Sequence, residues 1–368
     1  LRTRARRLSS EKPSLEPNSS HNSGSSSQLK DRLVTLLKIA ISLGLIAYIF
    51  SRPEIRQADW PAILASFRPL PWFLALAIYF VAIGFQVLKW RVLLQTLGVH
   101  VPYPTLYRHN LVGLFFANLP LSMIGGDIAR GWDLARTTEG QGAQVAVSVL
   151  VDRLVGLAAY VLAAVAGLAY AVLVMERPDF TWLLTAMALL LLAFGLGFAV
   201  LMSQRLRRLV ERLFALGPLR RFLPLYQKLS DSVQVYRTHL GALALALLIG
   251  LATVATTCVV NYLAAISVGT QVTFAWVCVL TPLTAFAPFL PSIASGLGWN
   301  QGVFIVLYYD LAGAVADEAA ALAMSLAMQL IILVASLPGG GLWWQKSQSM
   351  TRMTPGPRQN RAGTGDPA

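Results

Sequence analysis

Four charged residues stand where an apolar chain should hold none. Asp152-Arg153 lies eight or nine residues into the hydrophobic run 144–171, about 12–14 Å along a helix that rises 1.5 Å per residue. Asp127 and Arg130 stand at i,i+3 just upstream, and Asp133 and Arg136 repeat that spacing. A charge at the centre of a membrane helix costs about 2.5–3.5 kcal/mol on insertion scales, so such residues need partners or a purpose. Adjacent residues point apart on a helix, so Asp152 and Arg153 cannot pair well with each other. A cross-pairing of Asp127 with Arg153, or of Asp152 with Arg130, would satisfy both sets. Two readings follow and are compatible. One is a basic pocket for a phosphate head group, with arginine as the forked donor. The other is a buried ion-pair lattice that pins this segment to the next span.

A second polar set is neutral: Ser292, Ser295, Asn300 and Gln301, with Asp310, Asp317 and Glu318 beyond it. Both sets follow a break of the same form. Asn118-Leu119-Pro120 runs on to Gly125-Gly126-Asp127, and Leu290-Pro291 runs on to Gly296-Leu297-Gly298; each reads Leu-Pro, four residues, Gly. Proline removes a donor and glycine frees the backbone, so a helix is expected to stop at each. Broken backbone within lipid is tolerated only where protein buries it or a wet cavity adjoins it, and paired breaks in two halves point to a transporter's substrate site. The freed N–H groups around Gly296 and Gly298 could bind an anion. Equally, Ser and Asn could simply cap the following helix.

The elements that must position these residues are membrane spans. The chain is 56% hydrophobic and 13% charged with mean hydropathy +0.60, far from an ordinary soluble domain. Six runs are long enough to cross about 30 Å of hydrocarbon: 33–50, 71–88, 144–171, 180–203, 240–267 and 318–344. The net charge of +13 reads as basic cytoplasmic loops rather than a nucleic-acid surface. Seven Lys/Arg fall in 1–32, eight in 204–239 and four after 344, against three in 51–70 and one in 172–179. The positive-inside rule therefore places both termini and the 204–239 loop in the cytoplasm.

Parity then constrains the breaks. If 106–121 crossed the bilayer, the basic 204–239 loop would face outside. It is therefore expected to enter from the cytoplasm and return, with 124–136 as its second arm, while 274–315 enters and returns from the outside. The resulting all-α polytopic fold has six spans and two re-entrant hairpins in an inverted-topology repeat, with halves 31–172 and 180–344. Eight plain spans is the alternative. Residues 1–30 and 345–368 read as disordered tails.

Other residues carry less. Cys258 and Cys278 read as small core residues, the four histidines show no metal spacing, and no cofactor is implied. Trp60, Trp72, Trp90, Trp182, Trp343 and Trp344 fall near predicted span ends, where aromatic belts belong.

At Asn118-Leu119-Pro120, Gly125-Gly126-Asp127 with Arg130, Asp152-Arg153-Leu154-Val155-Gly156, and Leu290-Pro291-Ser292 to Gly298, the chain resembles the lysylphosphatidylglycerol synthase transmembrane region, a flippase-like membrane family. The resemblance covers about 30–344. It implies a domain of the bacterial inner membrane, or an archaeal one, that in some members translocates an aminoacylated phospholipid. It does not carry over lipid synthesis, since 345–368 is expected to be too short and polar for an aminoacyl-transfer domain. Where the family usually has an acid after the Gly-x-Gly block, this chain has Asn300-Gln301. The implied partner is a membrane lipid with a phosphate-containing head group. A second copy of the chain and an enzyme of envelope-lipid synthesis stay open as protein partners. Lipid translocase, small-solute transporter and membrane-embedded transferase are the functions in competition. No acid or base forms a catalytic motif, so the expected site binds rather than reacts: Asn118, Gly125, Gly126, Asp127, Arg130, Asp152 and Arg153 on one hairpin and its neighbour, and Ser292, Ser295, Gly296, Gly298, Asn300 and Gln301 on the other, with breaks at Pro120 and Pro291.

Overall fold

The computed structural model describes residues 48–118, 123–138, 140–202, 235–286 and 298–353. Helices are the regular elements of these residues, with no strand among them. Five helices are long and apolar enough to cross a membrane: Pro69–Thr96, Gly142–Leu173, Pro178–Ala199, Leu240–Ser267 and Glu318–Gln345. They correspond to five of the six expected spans. The sixth, 33–50, lies outside the described residues except for its last turn, as do 1–30, 354–368 and almost all of the basic 204–239 loop; 345–353, expected as part of a disordered tail, continue the last helix.

Prolines start several of these helices, where their missing N–H costs nothing. Helix α1 (Pro69–Thr96) opens on Pro69 and runs eight residues past the predicted end at 88, so Lys89 and Trp90 are interior residues. Helices α2 (Tyr103–Ala117) and α3 (Met123–Ala135) follow as a pair of short arms. At 15 and 13 residues they reach only about 20–22 Å, short of the hydrocarbon thickness. Then come α4 (Gly142–Leu173), α5 (Thr181–Met202), α6 (Leu240–Ser267), α7 (Phe274–Thr284), α8 (Trp299–Phe304) and α9 (Glu318–Met353). A π-helical stretch, Ile305–Leu311, continues α8. Its end is held by Arg177, whose guanidinium donates to the carbonyls of Leu311 and Ala312 and lies over Trp276 and Phe180.

One correction concerns the first break. Gly125 and Gly126 were expected to be freed backbone, yet both lie inside α3, which already begins at Met123. The interruption is confined to 118–122, of which 119–122, with Pro120, fall outside the described residues. Gly126 serves close approach instead. A Cβ there would sit 2.6 Å from the Gly113 carbonyl, and one on Gly113 would sit 2.8 Å from the Gly126 carbonyl. The two arms therefore cross where neither carries a side chain.

Landmarks of the segment 69–120 recur at a constant spacing in 240–291. Helices α1 and α6 are both 28 residues long, each is followed by a glycine at φ +77 or +76 (Gly98, Gly269), and the next helix begins at Tyr103 or Phe274. Every second member stands 171 positions after the first, as Pro291 does after Pro120 (240 after 69, 269 after 98, 274 after 103, 291 after 120). The equivalent helices α1 and α6 form the most extensive helix pair and run antiparallel. Trp72 and Ala75 near the start of α1 cluster with Val260 and Ala264 near the end of α6, while Leu93 clusters with Leu243 and Ala246 at its start. The backbone N–H of Arg68 donates to the carbonyl of Ser267 at 2.7 Å.

The hairpins cross between halves. Helix α2 packs on α9 and α7 packs on α4, and in each case a glycine on the long helix admits the short one. Gly339 lies against the Leu111 backbone, and a Cβ on Gly167 would meet Val279 Cα at 3.0 Å. Trp72 and Trp90, expected in an interfacial belt, are instead core residues. Trp72 donates to the Ala327 carbonyl and Trp90 to Ser148 Oγ, and both are buried. Trp182, Trp343 and Trp344 are exposed. Cys258 is buried and Cys278 half-buried in one apolar cluster, both as free thiols.

Candidate functional site

Four helices converge on the charged residues. Asp127 and Arg130 project from the same face of α3, one turn apart, so Arg130 Nε reaches Asp127 Oδ1 at 3.0 Å. Asp152 and Arg153 point apart on α4, as adjacent helical residues must, and each takes a partner from α3. Arg130 Nη2 donates to Asp152 Oδ2 at 2.8 Å, and Arg153 Nε pairs with Asp127 Oδ2. The two cross-pairings read from the sequence as alternatives are both made.

Three further residues complete the cluster. Lys89 on α1 places Nζ 3.1 Å from Asp152 Oδ1 and donates to the Asp152 carbonyl at 3.2 Å. Asn110 on α2 accepts from Arg130 Nη1 at 3.2 Å. Trp90 lies beneath the Arg130 guanidinium at 4.7 Å and is itself fixed by its bond to Ser148. Gly156, one turn after Asp152, leaves the space Lys89 needs, since a Cβ there would sit 2.9 Å from Nζ. Lys89 was missed because hydropathy falls at the lysine itself, which ends a predicted span there; Asn110 and Gly113 carried no charge to attract notice. Nearby, His109 Nδ1 lies 2.6 Å from Asp133 Oδ2 and ties the hairpin arms together. Asp133 thus turns toward α2 and not toward Arg136, the partner its i,i+3 spacing suggested.

The two arginines differ in exposure. Arg130 is 2% exposed and fully engaged, whereas the Arg153 side chain is 45% exposed. Arg153 borders a cleft of ≈ 70 Å³, also lined by Tyr79, Gln86, Gly126, Asp127 and Arg130, room for several water-sized groups. Lys89, Arg130 and Arg153 face Asp127 and Asp152, which leaves one positive charge in surplus. A surplus cation with free edges at a cleft is an anion site, and the guanidinium fork matches phosphate oxygens. The roof of the cleft is thin. Helix α3 turns Asp127 and Arg130 inward and exposes Ile128 and Trp132, at 62% and 65%, on its other side.

The remaining expected positions divide. Asn118 caps α2, donating to the Leu114 carbonyl at 3.1 Å. Gly298 holds φ +89 before α8, and its N–H donates to Gln301 Oε1 at 2.7 Å. Asn300 donates to Gln329 on α9 at 3.4 Å. Ser292, Ser295, Gly296 and Pro291 lie outside the described residues. Among the outer acids, Asp317 caps α9 through the Ala320 N–H, Glu318 is buried against Arg52 at 2.6 Å, and Asp310 is exposed.

A helical, multi-pass membrane protein with a buried, net-cationic cluster beneath a short helical arm is thereby defined. Within that class, the chain belongs to the lysylphosphatidylglycerol synthase TM region family, which it matches over residues 35–339. No curated protein matches it.

Proposed function

We propose that the chain is a flippase-like lipid translocase, which moves a phospholipid or lipid-linked head group across the bilayer without changing it chemically. The observation that carries this reading is the position of the cationic cleft, one helix deep beneath an exposed apolar face. A charged head group could enter past Ile128 and Trp132 to Arg153 while its acyl chains stay in lipid. A small-solute carrier would need its midplane site walled from lipid on all sides, which a single amphipathic arm does not provide. The cleft suits binding, since its carboxylates are engaged by cations.

The same reading sets the membrane topology. The arms α2 and α3 are too short to cross, and antiparallel counterparts α1 and α6 suit a repeat inverted about an axis in the membrane plane. We take the first hairpin as entering from the cytoplasm of a cell carrying this protein in its inner membrane, with both termini cytoplasmic and the second hairpin entering from outside. The test is purified protein in liposomes with a fluorescent short-chain phosphatidylglycerol, followed by dithionite quenching of the outer leaflet. Wild type should expose the inner-leaflet pool within minutes, and Arg153→Ala should slow this by roughly tenfold or more, the loss of one charge-assisted contact. Wild-type vesicles indistinguishable from protein-free ones, with every lipid tried, would sink the proposal.

A further inference from the structure

The constant spacing assigns each residue of the charged cluster a counterpart in the other half. Trp90, Asn110 and Arg130 correspond to Asn261, Thr281 and Gln301 (261 after 90, 281 after 110, 301 after 130). The same frame replaces Lys89 by Val260, Asp127 by Gly298, Asp152 by Ala323 and Arg153 by Met324. All five charges are removed, and three polar side chains remain at the counterpart positions. Asn261, Thr281 and Gln301 are 2%, 1% and 5% exposed. Asn261 Nδ2 donates to Thr281 Oγ1 at 3.3 Å, and Gln301 Oε1 accepts from the Gly298 N–H.

What distinguishes this second cluster is unmet hydrogen bonding. Asn261 Oδ1 and Gln301 Nε2 are both buried without a partner, and the Tyr308 hydroxyl interacts with Thr281. In the first cluster the corresponding groups are engaged: Trp90 with Ser148, Asn110 with Arg130, and Arg130 with two carboxylates. A buried polar atom without a partner costs about 1–3 kcal/mol, so two such atoms, on residues that the shared spacing makes counterparts of one charged cluster, point to a ligand that completes them. Its chemistry follows from the atoms. Asn261 Oδ1 only accepts and Gln301 Nε2 only donates. An anion would leave the first unmet and an ammonium group the second. A hydroxyl both donates and accepts, so a hydroxyl-bearing group meets both demands.

We propose that Asn261, Thr281 and Gln301 form a second, uncharged binding position that takes the hydroxyl-bearing part of a lipid head group, a glycerol or sugar, while the charged cluster takes its phosphate. This rests on the head-group reading above and names the head-group class. The test uses full-length protein in detergent and native mass spectrometry with three monoanionic phosphodiester lipids of matched acyl chains: phosphatidylglycerol, phosphatidylinositol and phosphatidylmethanol, the last without head-group hydroxyls. Wild type should retain at least one of the two polyol lipids roughly five- to tenfold better than phosphatidylmethanol, about one to two hydrogen bonds of difference. Gln301→Met, which keeps volume and removes the amide, should bring that lipid down to the level of phosphatidylmethanol. Gln301→Glu keeps the acceptor that caps Gly298 and removes the donor, and should do the same. Arg153→Ala should weaken all three lipids together.

The outcomes separate the two readings. Equal retention of all three lipids by wild type means that water alone meets these groups, and overturns the second position without recourse to a variant. Persistent discrimination in both Gln301 variants also overturns it while leaving the phosphate site intact. Unchanged retention of every lipid by Arg153→Ala would instead remove the phosphate site beneath it. Free glycerol at millimolar concentration should not abolish the preference, because a soluble polyol lacks the phosphate anchor; if it does, the position is a polyol site and not a head-group site.

Discussion

At the scale of the residue, Arg130 and Arg153 are the same side chain put to different uses by burial. Arg130 is enclosed and engaged on every side, so Arg130→Ala leaves Asp152 to Lys89 alone, takes a donor from Asp127 and Asn110, and should cost about 3–5 kcal/mol. Thermal unfolding in detergent would read this as a large loss of stability, with transport falling only as folded protein falls. Arg153 is half in solvent, and Arg153→Lys should leave the melting temperature nearly unchanged. It should nonetheless slow translocation, because an ammonium keeps the charge and loses the fork. If the lysine variant transports at the wild-type rate, the site recognises charge without phosphate geometry. A third case tests Lys89 through its neighbour. Gly156→Ala adds one methyl 2.9 Å from Nζ and should displace the ammonium from Asp152, lowering stability by roughly 1–3 kcal/mol. Lys89→Met in the same chain should relieve much of that loss; additive losses would mean that Gly156 matters for some other contact.

At the scale of the element, the first hairpin depends on the absence of side chains at one crossing. Gly126→Val places a branched chain against the Gly113 carbonyl and Ala117, and the obstructing atoms are backbone and a methyl that cannot move aside. The arms must then separate, pulling Asp127 and Arg130 away from Asp152 and Arg153. The expected result is loss of folded protein on gel filtration, more severe than for Gly131→Val, whose added Cβ meets only the tip of Val149 at 3.3 Å. Comparable yields for the two would show that the crossing is loose.

This is also the scale at which sequence reading reached its limit. Long apolar runs announce spans because every backbone group in lipid must be paired within its own helix, and five such runs reappear as helices. The charges in those runs announced the cluster because an unpartnered charge there is too costly to keep. Lys89, Asn110 and Gly126 were not legible in the same way. Lys89 lowered the very hydropathy used to draw its helix, Asn110 carries no charge, and Gly126 looked like a break when its use is contact with Gly113. Proximity between helices distant in sequence leaves no local mark.

At the scale of the whole molecule, the arrangement proposed in the bilayer makes a direct labelling forecast. A cysteine at Thr138, just past α3, should be shielded from impermeant external thiol reagents, as should one at Ser230, while one at Asp179 should react. Cells expressing each single-cysteine variant, probed before and after permeabilisation, would decide it. Labelling of position 138 from outside would mean that the first hairpin crosses, and the inverted arrangement would fall with it.

On the translocase reading proposed above, the shared spacing of 171 positions has a further consequence for how direction is acquired. Two halves built in the same register around an antiparallel seam make a scaffold with no preferred face, as a revolving door has none. The arrow is written in side chains: Lys89, Asp127 and Arg130 on one side, Val260, Gly298 and Gln301 on the other. Polarity of this kind is a matter of a few substitutions and not of architecture, so one backbone could serve cargo moving either way, and reversing it would need new residues at old addresses.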